Sequence, residues 1–289
     1  MKLTKHWSWP TGAALAAATM LFAGGVLAAG PPAAPKVSTF APAKDVAAQI
    51  EFYLKRIDEA VVSEEEYRGF ETRVPGDANT LVLLALAAGL HDEEIDYKAA
   101  APALIKAAQE LAKAAAFTEP PPGTQTPPAE MAKRYAAVKA GAAALKKAAE
   151  TKGGDVAALK WTKSADLVEL MKQVPKVYNT LNRNLKAKDP KRFTKNVNKS
   201  AGDATTLAVI AHGSIVDTSA VKKPADEATW FKLCVEMRDL CVTLNKTIRA
   251  GKQADAVNLA VTLHQNCLDC HKVFNPAATE KMEKELGKD

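Results

Sequence analysis

Beyond its first thirty residues this sequence holds no apolar run approaching a membrane span, which takes about 20 consecutive apolar residues. Almost nothing in it alternates apolar and polar residues with a period of two, so a strand-built core is not expected. It offers no phosphate-binding loop, no arrangement resembling a nucleophile triad and no second metal-ligating cluster. A formal net charge of +6 over 289 residues is no nucleic-acid-binding excess. Cysteine is scarce, with four in all. In an oxidising compartment four would ordinarily suggest two disulfides. Cys234 and Cys241, however, are seven apart on one expected helix, about 10 Å along its axis. That is too far to bridge each other, so both are expected as small apolar core filling.

What the chain does have begins with a leader. Lys2 and Lys5 precede an apolar run from Ala13 to Ala29 that ends in small residues. The pattern predicts a signal peptide over 1–29, cut near Ala28 or Ala29. An uncut anchor is the rival, but the run is short and diluted with Ala and Gly. Removing Lys2 and Lys5 leaves 37 basic against 33 acidic residues (39 − 2 = 37). The expected mature protein is soluble, periplasmic or otherwise exported, and without a stable membrane span. A Pro/Ala-rich tether follows over 30–43. Charge is then unevenly spread: residues 44–117 carry 8 basic and 14 acidic side chains, and residues 118–289 carry 28 and 19.

From Asp45 the apolar residues recur at three- and four-residue steps, which predicts an all-α fold. Helices are expected at about 45–62, 76–90, 97–117 and 128–150. Ser63-Glu64-Glu65-Glu66 is a capping-box start, Glu119-Pro120-Pro121-Pro122-Gly123 a break, and Gly153-Gly154 a domain border. Gly76-Asp77-Ala78-Asn79-Thr80-Leu81 recurs as Gly202-Asp203-Ala204-Thr205-Thr206-Leu207, at an offset of 126. Asp is an ordinary N-cap, so two unrelated helices could share the start. The same order of four helical segments in each half favours duplication. The expectation is two tandem four-helix bundles, one over 44–152 and one over 153–289. Core stripes in the second half run through Leu167, Leu170, Met171 and Val174, through Leu207, Ala208, Ala211 and Ile215, and through Trp230, Leu233, Met237 and Leu240. The last runs through Ala256, Ala260, Leu263, Cys267, Cys270 and Phe274.

The last of these helices, in the second bundle alone, carries Cys267-Leu268-Asp269-Cys270-His271. Cys-x-x-Cys-His is the attachment signature for c-type haem. Both thiols add across porphyrin vinyl groups, and the imidazole that follows is placed to bind iron. Two alternatives remain open on the residues: zinc, with His264 as the fourth ligand, and a redox-active dithiol. At an offset of 126 the first half offers Gly141, Ala144 and Leu145, which cannot attach haem. The basic stretch Lys186, Lys188, Lys191, Arg192, Lys195 and Lys199 is either a surface that steers an acidic redox partner or a solvated loop.

With three helices before the motif and the motif on the fourth, residues 160–276 resemble class II c-type cytochromes, the cytochrome c′ family. The class I fold instead places this motif near its beginning. The family usually carries an aromatic three residues after the ligand histidine, and Phe274 matches. It usually carries Arg one residue later, where this chain has Asn275, a departure from the proximal arrangement such an Arg supports. The resemblance implies one covalent haem c bound by Cys267, Cys270 and His271, with Phe274 against the ring. Relatives either leave the distal face open or close it with a methionine on the first helix of the bundle, which here is Met171. An apolar-stripe methionine is also ordinary core filling. His212 is the other candidate sixth ligand, and His264, two turns from His271 on the same face, is not one. The function implied is a single-electron carrier between redox partner proteins, with NO or CO binding on an open distal face as the alternative. No acid–base constellation supports an enzyme beyond a weak peroxidase activity. Relatives commonly pair as dimers, so the first half is either a built-in second subunit, giving a pseudo-dimeric monomer, or a spacer or docking module on a chain that forms a homodimer.

Overall fold

The structure, a computed structural model, describes residues 30–117 and 126–280. The expected leader (1–29) and the Pro-rich break at Glu119–Gly123 lie outside the described residues. Among the described residues the regular structure is entirely helical. The first half contributes α1 (Ala43–Ala60), the short α2 (Glu64–Phe70), α3 (Val74–Gly89), α4 (Ala101–Ala114) and α5 (Pro128–Ala149). The second contributes α6 (Leu167–Leu185), the short α7 (Pro190–Lys195), α8 (Val197–Ile215), α9 (Glu227–Arg249) and α10 (Gln253–Phe274). The expectation of an all-α chain holds, with boundaries moved by a few residues. Ser63 caps α2 by accepting the Glu66 backbone N–H at 3.1 Å, the N-cap bond its sequence promises. The basic stretch is not simply a loop. Asp189 caps α7 by accepting the Lys191 N–H at 2.9 Å, and Phe193 anchors it in the interior. Its six cationic side chains stay exposed.

Helix order and helix contacts repeat between the halves. In the first, α1 packs on α3, α3 on α4 and α4 on α5; in the second, α6 packs on α8, α8 on α9 and α9 on α10. Across the halves the contacts are reciprocal, α1 against α8 and α3 against α6, with α3 touching α8. These four helices form the middle of the molecule. That position explains the composition of α3 and α8. Every residue of α3, and every residue of α8 from Ser200 onward, is buried, polar ones included. One apolar cluster runs through both halves, from Ile50, Leu81 and Leu104 to Leu207, Leu244 and Leu263.

Glycine and glutamine set the approach of the halves, once in each direction. Gln49 of α1 lies over Gly202 of α8, where an added Cβ would sit 2.2 Å from Nε2. Gln173 of α6 lies over Gly76 of α3, with 3.0 Å to Oε1. A β-carbon at Gly202 would displace the Gln49 amide, and one at Gly76 would crowd the Gln173 amide less. Gln49 Oε1 accepts from Thr206 Oγ1 at 2.9 Å, and Gln173 Nε2 donates to Asp77 at 3.0 Å and to the Tyr53 hydroxyl at 3.2 Å. The buried carboxylates of the two Gly-Asp repeats differ in their partners. Asp77 takes Arg56 Nε and Nη2 at 3.0 Å each and lies 3.2 Å from Arg73 Nε. Asp203 has Lys199 at 3.1 Å. Burial raises both carboxyls, Asp203 to about 6, against the pull of their cations.

Candidate functional site

α10 carries the Cys-x-x-Cys-His run in its final two turns, and two ladders of contacts fix its register. Against α6, Gln253 Nε2 donates to the Leu185 and Ala187 carbonyls at 2.7 and 2.9 Å. Two turns on, the Tyr178 hydroxyl donates to the Ala260 carbonyl at 3.0 Å, and its ring meets His264 edge-on at 5.3 Å. Two further turns along each antiparallel helix bring Met171 level with Cys267. Against α9, Asn266 Nδ2 approaches the Leu233 carbonyl at 3.4 Å, and Phe274 meets Trp230 edge-on at 5.0 Å. α10 stops where it does because Pro276 follows. A residue before proline is pushed out of the helical region, and Asn275 sits at φ −148°, its N–H still bonded to the His271 carbonyl at 2.8 Å.

These ladders gather most of the residues the sequence singled out. Met171, Cys270 and Phe274 pack with Leu167, Ile215, Trp230, Phe231 and Cys234 in a second apolar cluster, which Met171 joins to the main core. α6 remains one helix through Pro175. The expected α10 stripe is partly corrected. Ala256, Ala260 and Leu263 are buried as anticipated, but the line continues through Asn266 and Leu268, while Cys267, Cys270, His271 and Phe274 are half-buried. A 3.6-residue period drifts round a straight helix, so the motif ends on the flank of the interior face rather than in its centre. Asn266 is the positioning residue that periodicity missed; its polar side chain gave no apolar signal.

The titratable atoms of the site are shaped by burial. His271 Nδ1 is buried and has no hydrogen-bond partner, and burial holds its imidazole below the ordinary range, favouring the neutral ring. Burial also pushes the Cys270 thiol up to about 11 and the Cys267 thiol up to about 12. Cys234 and Cys241 are buried, unbridged and shifted upward in the same sense, consistent with core filling. Among the described residues no three His, Cys, Asp or Glu side chains converge as the ligands of a metal ion would. The four-ligand zinc arrangement through His264 is thus not assembled.

His212 stands elsewhere. Its ring is wedged between Phe40, at 4.6 Å, and Trp161, at 4.5 Å, with Arg238 Nη1 at 3.3 Å from Nδ1. Burial first, then the Arg238 charge, lower its pKa to about 4. These are the surroundings of a neutral histidine that ties the N-terminal segment and the inter-half connection onto α8. It occupies the place of Leu86 in α3.

The first half keeps the frame of the site without its chemistry. α5 and α10, each 22 residues, align at 125 rather than 126 (253 − 128 = 125). The counterparts of Cys267, Cys270, His271 and Phe274 are therefore Ala142, Leu145, Lys146 and Ala149. This corrects the earlier alignment onto Gly141, Ala144 and Leu145, which carried the offset of α3 and α8 past a connection of different length. All four border an open groove of about 330 Å³ beside α1. No family model, curated protein or solved structure matches the chain, and no helix among the described residues is long and apolar enough to cross a membrane.

Proposed function

We propose that this chain is an exported, mono-haem c-type cytochrome of the class II kind, two fused four-helix bundles of which the second binds haem c, and that it carries single electrons between redox partner proteins. The observation that carries this reading is the Cys-x-x-Cys-His run on α10 together with the partnerless buried Nδ1 of His271 and the Met171 cluster opposite. These residues fit the group: two thiols one turn apart, a neutral imidazole, and a wall of apolar side chains. When bound, haem c supplies a one-electron ferric/ferrous couple. Cys267 and Cys270 would tether it through thioethers, and His271 would offer a ring nitrogen to the iron. Met171, on the facing helix, would offer its thioether sulfur as a further ligand. Phe274 and Trp230 would keep water from the group, lowering the local dielectric and so biasing the potential.

The decisive test is the intact mass of protein exported by a host that matures cytochromes, with oxidised, reduced and CO-treated spectra. One haem increment and a low-spin ferric spectrum are expected, with Met171→Ala admitting CO. A polypeptide mass without the increment overturns the haem reading. A high-spin ferric spectrum with ready NO binding replaces the electron carrier by a gas-binding protein. The reciprocal contacts of α1 with α8 and α3 with α6 support the first half as a built-in second subunit, since a two-fold interface uses the same patch on both sides. Light scattering should then report a monomer.

A further inference from the structure

Cys234 has no role in that reading, yet it lies against the motif. α9 and α10 form a helical hairpin with a short connection at Ala250–Lys252, so they run antiparallel. Trp230 of α9 meets Phe274 of α10 at 5.0 Å. Four residues on in α9 stands Cys234, and four residues back in α10 stands Cys270. Positions i and i+4 share a helix face, so a contact at one rung of an antiparallel pair is repeated one turn along. Both side chains are in fact packed in the same apolar cluster. Cys241 is not in this position. The same register sets it opposite Leu263, with Cys267 one turn further along the axis. Burial first, then a nearby Cys267 thiolate, raise the Cys241 thiol, but Cys241 is fully enclosed in the main core, where an oxidant does not reach it.

We propose that Cys234 and Cys270 form a disulfide across the α9–α10 seam in the haem-free chain, a cross-link that excludes thioether formation at Cys270. The oxidant is a disulfide such as oxidised glutathione. Cys270, the more exposed of the two, attacks it as the thiolate; a mixed disulfide forms and one glutathione leaves. The Cys234 thiolate then displaces the second glutathione, closing the S–S bond. Two thiol protons are taken up by the two departing thiolates, so the pair is oxidised by two electrons and one glutathione disulfide is reduced. Two facing helices bring Cα atoms within disulfide range only where both side chains are small, as they are here. The formation of the bond does not depend on the haem reading; its consequence for haem attachment does.

The test uses the full chain, produced reduced and without haem, oxidised with glutathione disulfide and mapped as non-reduced peptides. The Cys234–Cys270 pair should be the main cross-link. Cys270→Ala should abolish it, whereas Cys267→Ala should leave it in place, a control that keeps the fold and removes the rival thiol. A Cys267–Cys270 or Cys241–Cys267 bond as the main product, or four free thiols, overturns the proposal. In a host that matures cytochromes, Cys234→Ala should raise the fraction of chains bearing haem. If no variant ever gains haem while the cross-link forms, the haem reading fails and the disulfide stands. If haem attaches but the haem-free chain does not cross-link, the reverse holds.

Discussion

The two halves of this chain share a helix order and a mode of packing, yet at their last helices they part. α10 ends in two thiols, an imidazole and an aromatic ring; α5 offers Ala142, Leu145, Lys146 and Ala149 at the same turns, facing an open groove. The Gly-Asp starts of α3 and α8 diverge too: Asp77 is held by two arginines and a glutamine from the other half, Asp203 by one half-exposed lysine. The lesson is that a helical frame tolerates wholesale change of chemistry on one face. Its geometry is maintained elsewhere, here by the glycine–glutamine contacts and the buried central helices.

The largest effects expected break that difference outright. Cys267→Ala with Cys270→Ala should remove covalent haem entirely, leaving a second half as bare as the first, read as loss of the haem mass increment. Next comes the buried aspartate. Asp77→Ala leaves Arg56 and Arg73 without their anion, and such losses cost about 3–5 kcal/mol. Asp203→Ala should cost about 1 kcal/mol or less, because Lys199 can turn to water. Urea unfolding of both variants would show whether the repeats are as unequal as their partners.

The pH response of the second half combines His212 with Asp203, whose carboxyl is raised by burial to about 6 and acts in the opposite sense. His212 is held down to about 4, so between that value and its unfolded pKa near 6.5 the unfolded chain binds the extra proton. Its contribution to stability is present above pH 6.5 and is lost as pH falls towards 4, by ~3 kcal/mol in all. His212→Leu, which makes α8 resemble α3 with its Leu86, should flatten that acid loss in a series of thermal melts. Modest effects are expected at the inter-half contacts. Gly202→Ala drives a Cβ onto Gln49 and should cost about 1–3 kcal/mol. Gly76→Ala, with more room beside Gln173, should cost less, since alanine gains about 0.5–1 kcal/mol over glycine within a helix. Equal losses at the two would show the approach to be more symmetric than these distances.

Much of this was legible from the residues alone. Three-and-four spacing marked the helices, Ser63 the cap of α2, and the Gly-Asp repeat the matching helix order of the halves. The motif was identifiable because its types and spacing carry chemistry; Phe274 and Met171 entered only through the family resemblance that the motif raised. Other features were not. Asn266 and Gln253, which fix where α10 sits, are polar residues with no periodic signature. α7 was hidden in a run of lysines, betrayed by Asp189 and Phe193 only once the chain is folded. The one-residue error in aligning α5 with α10 arose because the halves differ in connection length, and an offset taken from one helix pair does not carry to the next.

The chain by itself determined that it would be helical, roughly where its long helices would lie, and which turn would hold the two thiols and the imidazole. These follow from bonds and steric preferences spanning four or five residues. Tertiary structure alone decided that Met171 stands level with Cys267 and Cys234 with Cys270, that His212 is enclosed by two aromatic rings, and that α3 and α8 are buried all round. Those facts depend on how one helix slides and rotates against another. That is set by contacts between residues far apart in sequence, such as Tyr178 with Ala260 and Trp230 with Phe274, which no local pattern encodes.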